Sequence, residues 1–399
     1  MHNERWLIAA TAGTWQIAGI KAAQQMGFKV IAIDGQKDCP GFTIADKSIN
    51  LNISDTSLIL KTLDDLKLNY VGAISYCSEA GMMLAAQIRE HFSLPGPNIP
   101  LTSALINKGI QRNIWAKSNV PIPKFSIFKS KDDALNFCSN ANVQLIVKPT
   151  DSAGSRGVAL LGTDSQENST LISSALNFSR TKEIIIEEYM KGTEYTVEVF
   201  CTPERTDLLT ITKKKKLPHT NGTVAFELFT PELSDQEVCN ISTPVFDAFK
   251  ALGYTFGIGH AEVILKEDGT VGIIEVAGRG GGFLLFEKFI PLVTSRNVTN
   301  ELINILTGQA NNKVQQRHSF GVLRFTPSKK GRIKKLEGYD KVNGFNNTYG
   351  QAFAVVGQDF PEAACDGDRI GCIITWASSL DEALKKADLA EKQIIYEVE

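Results

Sequence analysis

The chain has 399 residues, 43% apolar and 22% charged, with a net charge of −2. That length exceeds what one hydrophobic core usually holds, so roughly two to four subdomains are expected. The near-neutral balance points to neither a nucleic-acid nor a membrane partner, and no stretch approaches the roughly 18 uninterrupted apolar residues of a membrane span.

Residues 6–10 read as a buried strand, and Thr11-Ala12-Gly13-Thr14 turns the chain into an apolar-periodic helix ending at Met26-Gly27. The opening MHNERWLIAATAG holds too short an apolar run for a signal peptide. Residues 29–34 form a second strand and 48–53 a short third, after which Asp55 is placed to cap a helix running to about residue 66. A fourth strand at 71–75 leads into a helix over 79–91, and Leu94-Pro95-Gly96-Pro97 closes the unit. Strands alternating with helices imply a parallel sheet covered on both faces. Asp34 ends the second strand where a ribose-binding acid would sit, but the first turn is AATAGTWQ rather than G-x-G-x-x-G, which argues against a dinucleotide site. The seven cysteines are scattered and lack C-x-x-C spacing, as expected of reduced thiols in a cytoplasmic α/β protein.

A helix over 102–118 carries Lys108 and Arg112 one turn apart on one face, and Pro121 and Pro123 break it. A strand at 125–128, a helix at 131–140 and a strand at 144–149 begin a second α/β unit, whose turn is DSAGSRG at 151–157. Residues 171–178 are helical and 183–187 extended. A more β-rich unit follows, with strands at 195–200, 208–213 and 224–229 and a helix over 234–252. A helix at 298–306 and a polar linker at 308–317 precede a tail, 318–399, with several short β runs and an acid- and lysine-rich helix at 380–391.

The most informative stretch is HAEVILKEDGTVGIIEVAGR, residues 260–279. Two β-rich runs, 260–265 and 271–276, flank Asp268-Gly269, a dipeptide suited to a two-residue type I′ turn. That turn sets Glu262 opposite Glu275. Opposed carboxylates destabilise a strand pair, so a cation between them is expected, with oxygen ligands favouring Mg²⁺ or Mn²⁺. A turn misplaced by one residue would instead leave a surface hairpin whose glutamates never meet.

Upstream, DSAGSRGV follows the strand at 145–147 and leaves backbone N–H groups open to an anion, although G-x-x-x-x-G-K-[ST] is absent and a flexible turn would read the same way. Lys148 enters that loop. IIIEEYMKGTEYTVEV, 184–199, follows with an acidic pair and a turn at Gly192. The order of these pieces (Lys108, VKP and the Gly/Ser loop, EEYMKGTE, two glutamates across a hairpin, then Arg279) resembles the ATP-grasp superfamily over roughly residues 1–310. The tail is similar to the C-terminal subdomain of its carboxylate–amine (L-amino acid) ligase and biotin carboxylase branch. The resemblance implies an α/β ATP-grasp fold with an N-terminal parallel-sheet domain (1–98), a linker helix (99–120), a small mobile α/β lid (121–186), a β-rich central domain (187–310) and a C-terminal α+β subdomain (318–399). It implies ATP contacts at Lys108, Lys148, the loop Ser152, Gly154, Ser155 and Gly157, Glu187, the backbone of Glu188 and Met190, and Glu194 at the ribose. It places the metal on Glu262 and Glu275 and gives Arg279, with Lys148, the catalytic role of facing an acyl-phosphate. One departure is Ala277, where many members carry an asparagine ligand.

Other candidates for substrate contact are Glu79, at the carboxyl edge of the first sheet, His219 and Glu227, Gly281 and Gly282 in GRGGGF, and Arg324 from the tail. For each an ordinary structural role stands beside the functional one. Lys213–Lys216 reads as a solvated strand edge or as an attractor for an anionic substrate. His260 reads as a satisfied core histidine or as support for Glu262. The implied activity is an ATP-dependent ligase that joins a carboxylate to an amine through an acyl-phosphate, with small-molecule substrates and a homodimeric assembly. A bicarbonate-activating carboxylase or carbamoyl-phosphate-type enzyme is the nearest rival, and a non-catalytic nucleotide-binding regulator the more distant one.

Overall fold

In the computed structural model, which describes residues 4–152, 154–220, 224–309 and 316–399, the chain opens on a four-stranded parallel sheet. Its order is Lys47–Asn50, Lys29–Asp34, Trp6–Ala10, Tyr70–Ile74. Every residue of Trp6–Ala10 is buried, and the two-residue period of the strand explains how. Leu7 and Ala9 pack with Ile20, Phe200 and Leu302, whereas Trp6, Ile8 and Ala10 pack with Ile59, Leu63, Leu84 and Ile88. Helix Ile17–Gln25 therefore shares one face with later parts of the chain, and helices Thr56–Leu66 and Glu79–Phe92 cover the other. Helix Glu79–Phe92 starts at the carboxyl edge of the sheet and so delivers Glu79 there. Asp34 is occupied locally: its carboxylate accepts the Ala12 and Gln36 N–H groups, each at 2.9 Å.

The expected single helix over 102–118 is two helices, Ile99–Ile106 and Lys108–Lys117. Asn107 divides them. Its backbone is extended (φ −130°, ψ 112°) and its side chain accepts the Ile110 N–H at 3.0 Å. Asparagine competes well for such a cap and poorly for a helix interior, a signal that the apolar periodicity on either side concealed. The break lets the Lys108 N–H reach the Thr150 carbonyl at 2.7 Å, tying the second helix to the next unit. Asn107→Ala is expected to cost about 1 kcal/mol, read as a lowered urea midpoint with unchanged slope.

That next unit is an antiparallel sheet ordered Phe125–Phe128, Ile184–Glu188, Leu145–Pro149, Ala159–Leu161. Helices Lys131–Ser139 and Ser165–Phe178 supply its core through Ala134, Ile172 and Ala175.

The largest element is an eight-stranded sheet running Val271–Ala277, Gly257–Leu265, Thr193–Cys201, Thr206–Lys216, Ala225–Phe229, Phe320–Pro327, Arg369–Ala377, Thr348–Ala352. Strands of the tail thus continue the sheet that carries the hairpin. Helix Asp235–Leu252, opened by a capping box at Ser234, lines its core with Ile241, Val245 and Phe249. Thr206–Lys216 is an interior strand, hydrogen-bonded on both sides. Reading Lys213–Lys216 as a solvated edge therefore fails: Lys213 is paired on both sides, and Lys214–Lys216 pair with Ala225–Phe229 while Lys214 and Lys216 are held in ion pairs. Among the described residues, no helix is long and apolar enough to cross a membrane.

Candidate active site

The hairpin does set Glu262 opposite Glu275, by a route other than the two-residue turn. The turn is longer: the Lys266 N–H reaches the Thr270 carbonyl, the Gly269 N–H reaches Lys266, and Gly269 has φ 78°. That geometry fits a loop ending in a left-handed glycine and starts the pairing one residue out of step, with Leu265 facing Val271. A bulge between Glu262 and Val263 on one strand, opposite Ile274 on the other, then restores the register. The bulge has a holder. Arg112 donates to the Ile274 carbonyl at 2.6 Å, and Gln111 donates to Val276 at 2.8 Å. Helix Lys108–Lys117 thereby fixes the strand that carries Glu275.

The cations facing these glutamates are lysines. Lys108 Nζ lies 2.7 Å from Glu275 and donates to the Ser152 carbonyl at 2.9 Å. Lys214 Nζ lies 2.5 Å from both Glu262 and Glu194, and Lys216 also pairs with Glu194. Burial pushes the Glu262 carboxyl up, but Lys214 and His260 outweigh it and hold it well below the usual range. At Glu275, burial and the facing Glu262 are likewise outweighed, chiefly by Lys108. Both acids are ionised. His260 bridges Glu198 and Glu262; burial disfavours its charge, yet the two acids raise it to about 9, leaving a cation behind Glu262.

Two ionised carboxylates suit a hard divalent cation. Among the described residues no group of three or more His, Cys, Asp or Glu is arranged for a metal. Mg²⁺ is commonly held by one or two carboxylates with substrate phosphates and water completing the shell, so the pair fits such an ion once Lys108 and Lys214 turn to other anions. Ala277, paired with His260, adds no ligand.

Glu187 is the hub of a second cluster. It accepts from Arg112 Nε at 2.5 Å and from Lys148 Nζ at 2.7 Å. Burial raises its carboxyl, but Arg112 and Lys148 bring it down to about 2. The loop after Lys148 is anchored at its base, where Asp151 accepts the N–H groups of Arg180 and Thr181. Beyond that it runs through left-handed conformations at Gly154, Ser155 and Gly157. A Cβ on Gly154 would meet nothing within 4 Å, whereas one on Gly157 would stand 2.9 Å from Pro149. The middle of the loop is open and its end is packed. The N–H groups of Glu188 and Tyr189 are taken by Lys124 and Gln144, and the Met190 side chain lies against Gly272.

Arg279 donates to Glu79 at 3.3 Å and to the Gly280 carbonyl, while its Nε has no partner among the described residues. Burial works against its charge, but Glu79 and Glu275 raise its pKa. Glu79, a tentative candidate, is thus brought to the site. Glu227 and Arg324 are not: they pair with each other at 2.5 Å, with Lys215, and with Asp388 and Glu391 of helix Leu380–Glu391. Strand alternation puts Lys215, Glu227 and Arg324 on the face opposite Lys214 and Glu262. His219 lies in the turn Pro218–Thr220; its side chain, like residues 221–223, falls outside the described residues. Lys214 and Lys216 are read from sequence only as part of the Lys213–Lys216 run, without a place beside the glutamates, and Glu198 is missed. Two-residue periodicity through the lysine run would have found the first two once the strand was known to be interior.

Residues 141–286 match the ATP-grasp domain. Over its full length the chain superposes on an L-amino acid ligase from Bacillus licheniformis, covering 100% of both chains (TM-score 0.84, 18% identity). It superposes with the same coverage on a phosphoribosylglycinamide synthetase from Anaerococcus prevotii (TM-score 0.78, 22% identity). At those identities the likeness establishes the shared fold. An uncharacterized protein, y4rH, of Sinorhizobium fredii is 23% identical over 277 residues, which are 68% of this chain and 56% of that one. The chain spans about half the length of the curated relatives it first matches, 56% and 49%. The domain match over residues 141–286 and the whole-chain superposition agree that the chain has the ATP-grasp fold.

Proposed function

We propose that the chain is an ATP-dependent carboxylate–amine ligase, forming an amide and releasing ADP and phosphate, with an amino acid as one substrate. One observation carries the reading: two ionised, opposed glutamates share one site with Lys108, Lys148 and Arg279, each within electrostatic reach of Glu275. An acceptor for a phosphoryl group passing between two anions needs this mixture of fixed charge. The names of the superposed ligases support it.

Glu262 and Glu275 would hold Mg²⁺ or Mn²⁺, which when bound neutralises charge on the transferring phosphoryl group. Lys108 and Lys148 stand on either side of the loop over 151–157, and the open amides of that loop suit the phosphates of ATP. Arg279, braced by Glu79, is placed to hold a carboxylate oxygen as it attacks. Closure of the loop would keep water from the acyl-phosphate that results.

The test is phosphate release from Mg-ATP across pools of amino acids, amines and bicarbonate, with products identified by mass spectrometry. Release that requires both a carboxylate and an amine, with an amide mass, is the expected result. Stimulation by bicarbonate alone would transfer the chain to the carboxylases, and ATP binding without turnover in any pool would leave a regulatory nucleotide binder.

A further inference from the structure

The glycine-rich segment after Arg279 ends in a turn whose one acid, Glu287, leaves one carboxylate oxygen without a hydrogen bond among the described residues. Phe283 and Leu284 adopt left-handed φ values of 54° and 68°, and a π-helical turn over Leu285–Phe289 follows. The turn folds back on the glycines: the Phe286 N–H reaches the Gly281 carbonyl at 3.2 Å. Cys77 reaches the same carbonyl from the other side, with Sγ at 3.8 Å. Glu287 sits on this turn among apolar neighbours, and its Oε2 is buried with no hydrogen-bond partner among the described residues. The Cys77 thiol senses the surroundings: burial raises it most, then Glu287 raises, Arg279 lowers and Glu198 raises. Arg279 Nε and Glu198 Oε2 are likewise buried without partners. Buried polar atoms left open in this way are costly unless something polar completes them, and all three residues lie within electrostatic reach of Cys77.

We propose that Glu287 receives the ammonium group of the amine substrate and accepts its proton. The inference rests on the ligase reading above. The amine arrives as R–NH₃⁺ and gives one proton to Oε2 of Glu287. Its freed lone pair attacks the acyl-phosphate carbonyl; the C–N bond forms and the C–O bond to phosphate breaks, the electron pair leaving with phosphate. The second amine proton leaves with that phosphate, and Glu287 returns its own to solvent. Burial holds the Glu287 carboxyl up at about 7, opposed by a hydrogen bond from its own backbone and by Lys288 on the same turn, which matches an acid that must lose and regain a proton near neutrality. The other titratable groups facing it are Cys77, Cys372 of strand Arg369–Ala377 and Tyr349 of strand Thr348–Ala352.

The experiment separates the two halves of the reaction. Hydroxylamine, largely uncharged at neutral pH, traps the acyl-phosphate as a hydroxamate without needing a base, whereas amino acids supplied as acceptors arrive as ammonium ions. With pools of the standard amino acids and Mg-ATP, E287Q should form hydroxamate at close to the wild-type rate and lose roughly 10²-fold in amide formation. E287D should recover part of the amide, and the melting temperature of E287Q should not fall, because Oε2 has no partner to lose and the amide oxygen can keep the backbone hydrogen bond. Amide formation by E287Q at the wild-type rate overturns the proposal, as does parallel loss of hydroxamate and amide. A melting temperature lowered in E287Q and not restored in E287D would make Glu287 structural. A wild-type protein that forms neither product removes the ligase reading and this proposal together.

Discussion

Replacing Glu275 with glutamine is expected to lower carboxylate-dependent ATP turnover by about 10³-fold, the scale on which a single preorganised charge acts in a transition state. The amide matches the shape of the acid and removes only its charge. Two consequences compete. Glu262 loses a like-charged neighbour, which relieves repulsion across the hairpin, and Lys108 loses its 2.7 Å partner. Lys108 keeps the Ser152 carbonyl and remains near Glu79 and Glu262, so its charge is not stranded. The fold should therefore survive, with a melting temperature close to wild type, and the loss should lie in turnover. Phosphate release measures it, and calorimetry of ATP binding with and without Mg²⁺ shows where it arises: nucleotide should still bind, and the gain in affinity on adding metal should shrink. Wild-type turnover in this variant would remove Glu275 from the metal site and the two-glutamate arrangement with it.

How the pair could be read from sequence shows both the reach and the limit of such reading. The β-rich runs at 260–265 and 271–276 and the Asp268-Gly269 signal locate the hairpin correctly. The longer loop and the bulge at Ile274 then each shifted the pairing by one residue, in opposite senses, so that Glu262 still faces Glu275. Neither shift could be foreseen, because the bulge is held by Arg112, a residue 162 positions away along the chain. The lysine run shows the opposite case. Lys213–Lys216 looks like an edge in isolation, and only its pairing with Ala225–Phe229, joined at Lys213 by Thr193–Cys201, shows that the strand is interior. Local patterns survive in sequence; which side of a sheet meets which partner does not. The same reason separates Arg279, which the resemblance carried to the end of the hairpin, from Arg324, whose partners include a C-terminal helix. Glu287 left one faint trace, a single acid inside LLFEKF, and periodicity alone gives no reason to prefer it over any other acid on a turn.

The second large effect concerns stability. Glu187→Gln should destabilise the protein by roughly 3 kcal/mol at neutral pH, the cost of removing one partner from a buried charge cluster. Glu187 is 1% exposed, and the two cations it holds, Arg112 and Lys148, are also buried. Arg112 Nη1 already lacks a hydrogen-bond partner among the described residues, so the remaining contacts cannot absorb the charge that the acid leaves behind. The pH dependence distinguishes this from simple loss of packing. The carboxyl is brought from an ordinary value of 4.5 to about 2 in the folded protein, so the folded state binds its proton later than the unfolded state does. Its stabilising contribution is then fully present above pH 4.5 and declines as the pH falls toward 2. A shift of that size corresponds to roughly 3 kcal/mol, in agreement with the figure from burial. Wild type and E187Q should therefore differ by a constant amount near neutrality in urea titrations, and their stabilities should converge across that acid window. Curves that remain parallel down to the lower end would show that Glu187 contributes shape rather than charge. Because Lys148 enters the loop over 151–157 directly from this cluster, the acid that stabilises the fold also sets where that lysine can reach. E187Q should weaken ATP binding even under conditions where it is fully folded, and an unchanged affinity would detach the cluster from the nucleotide site.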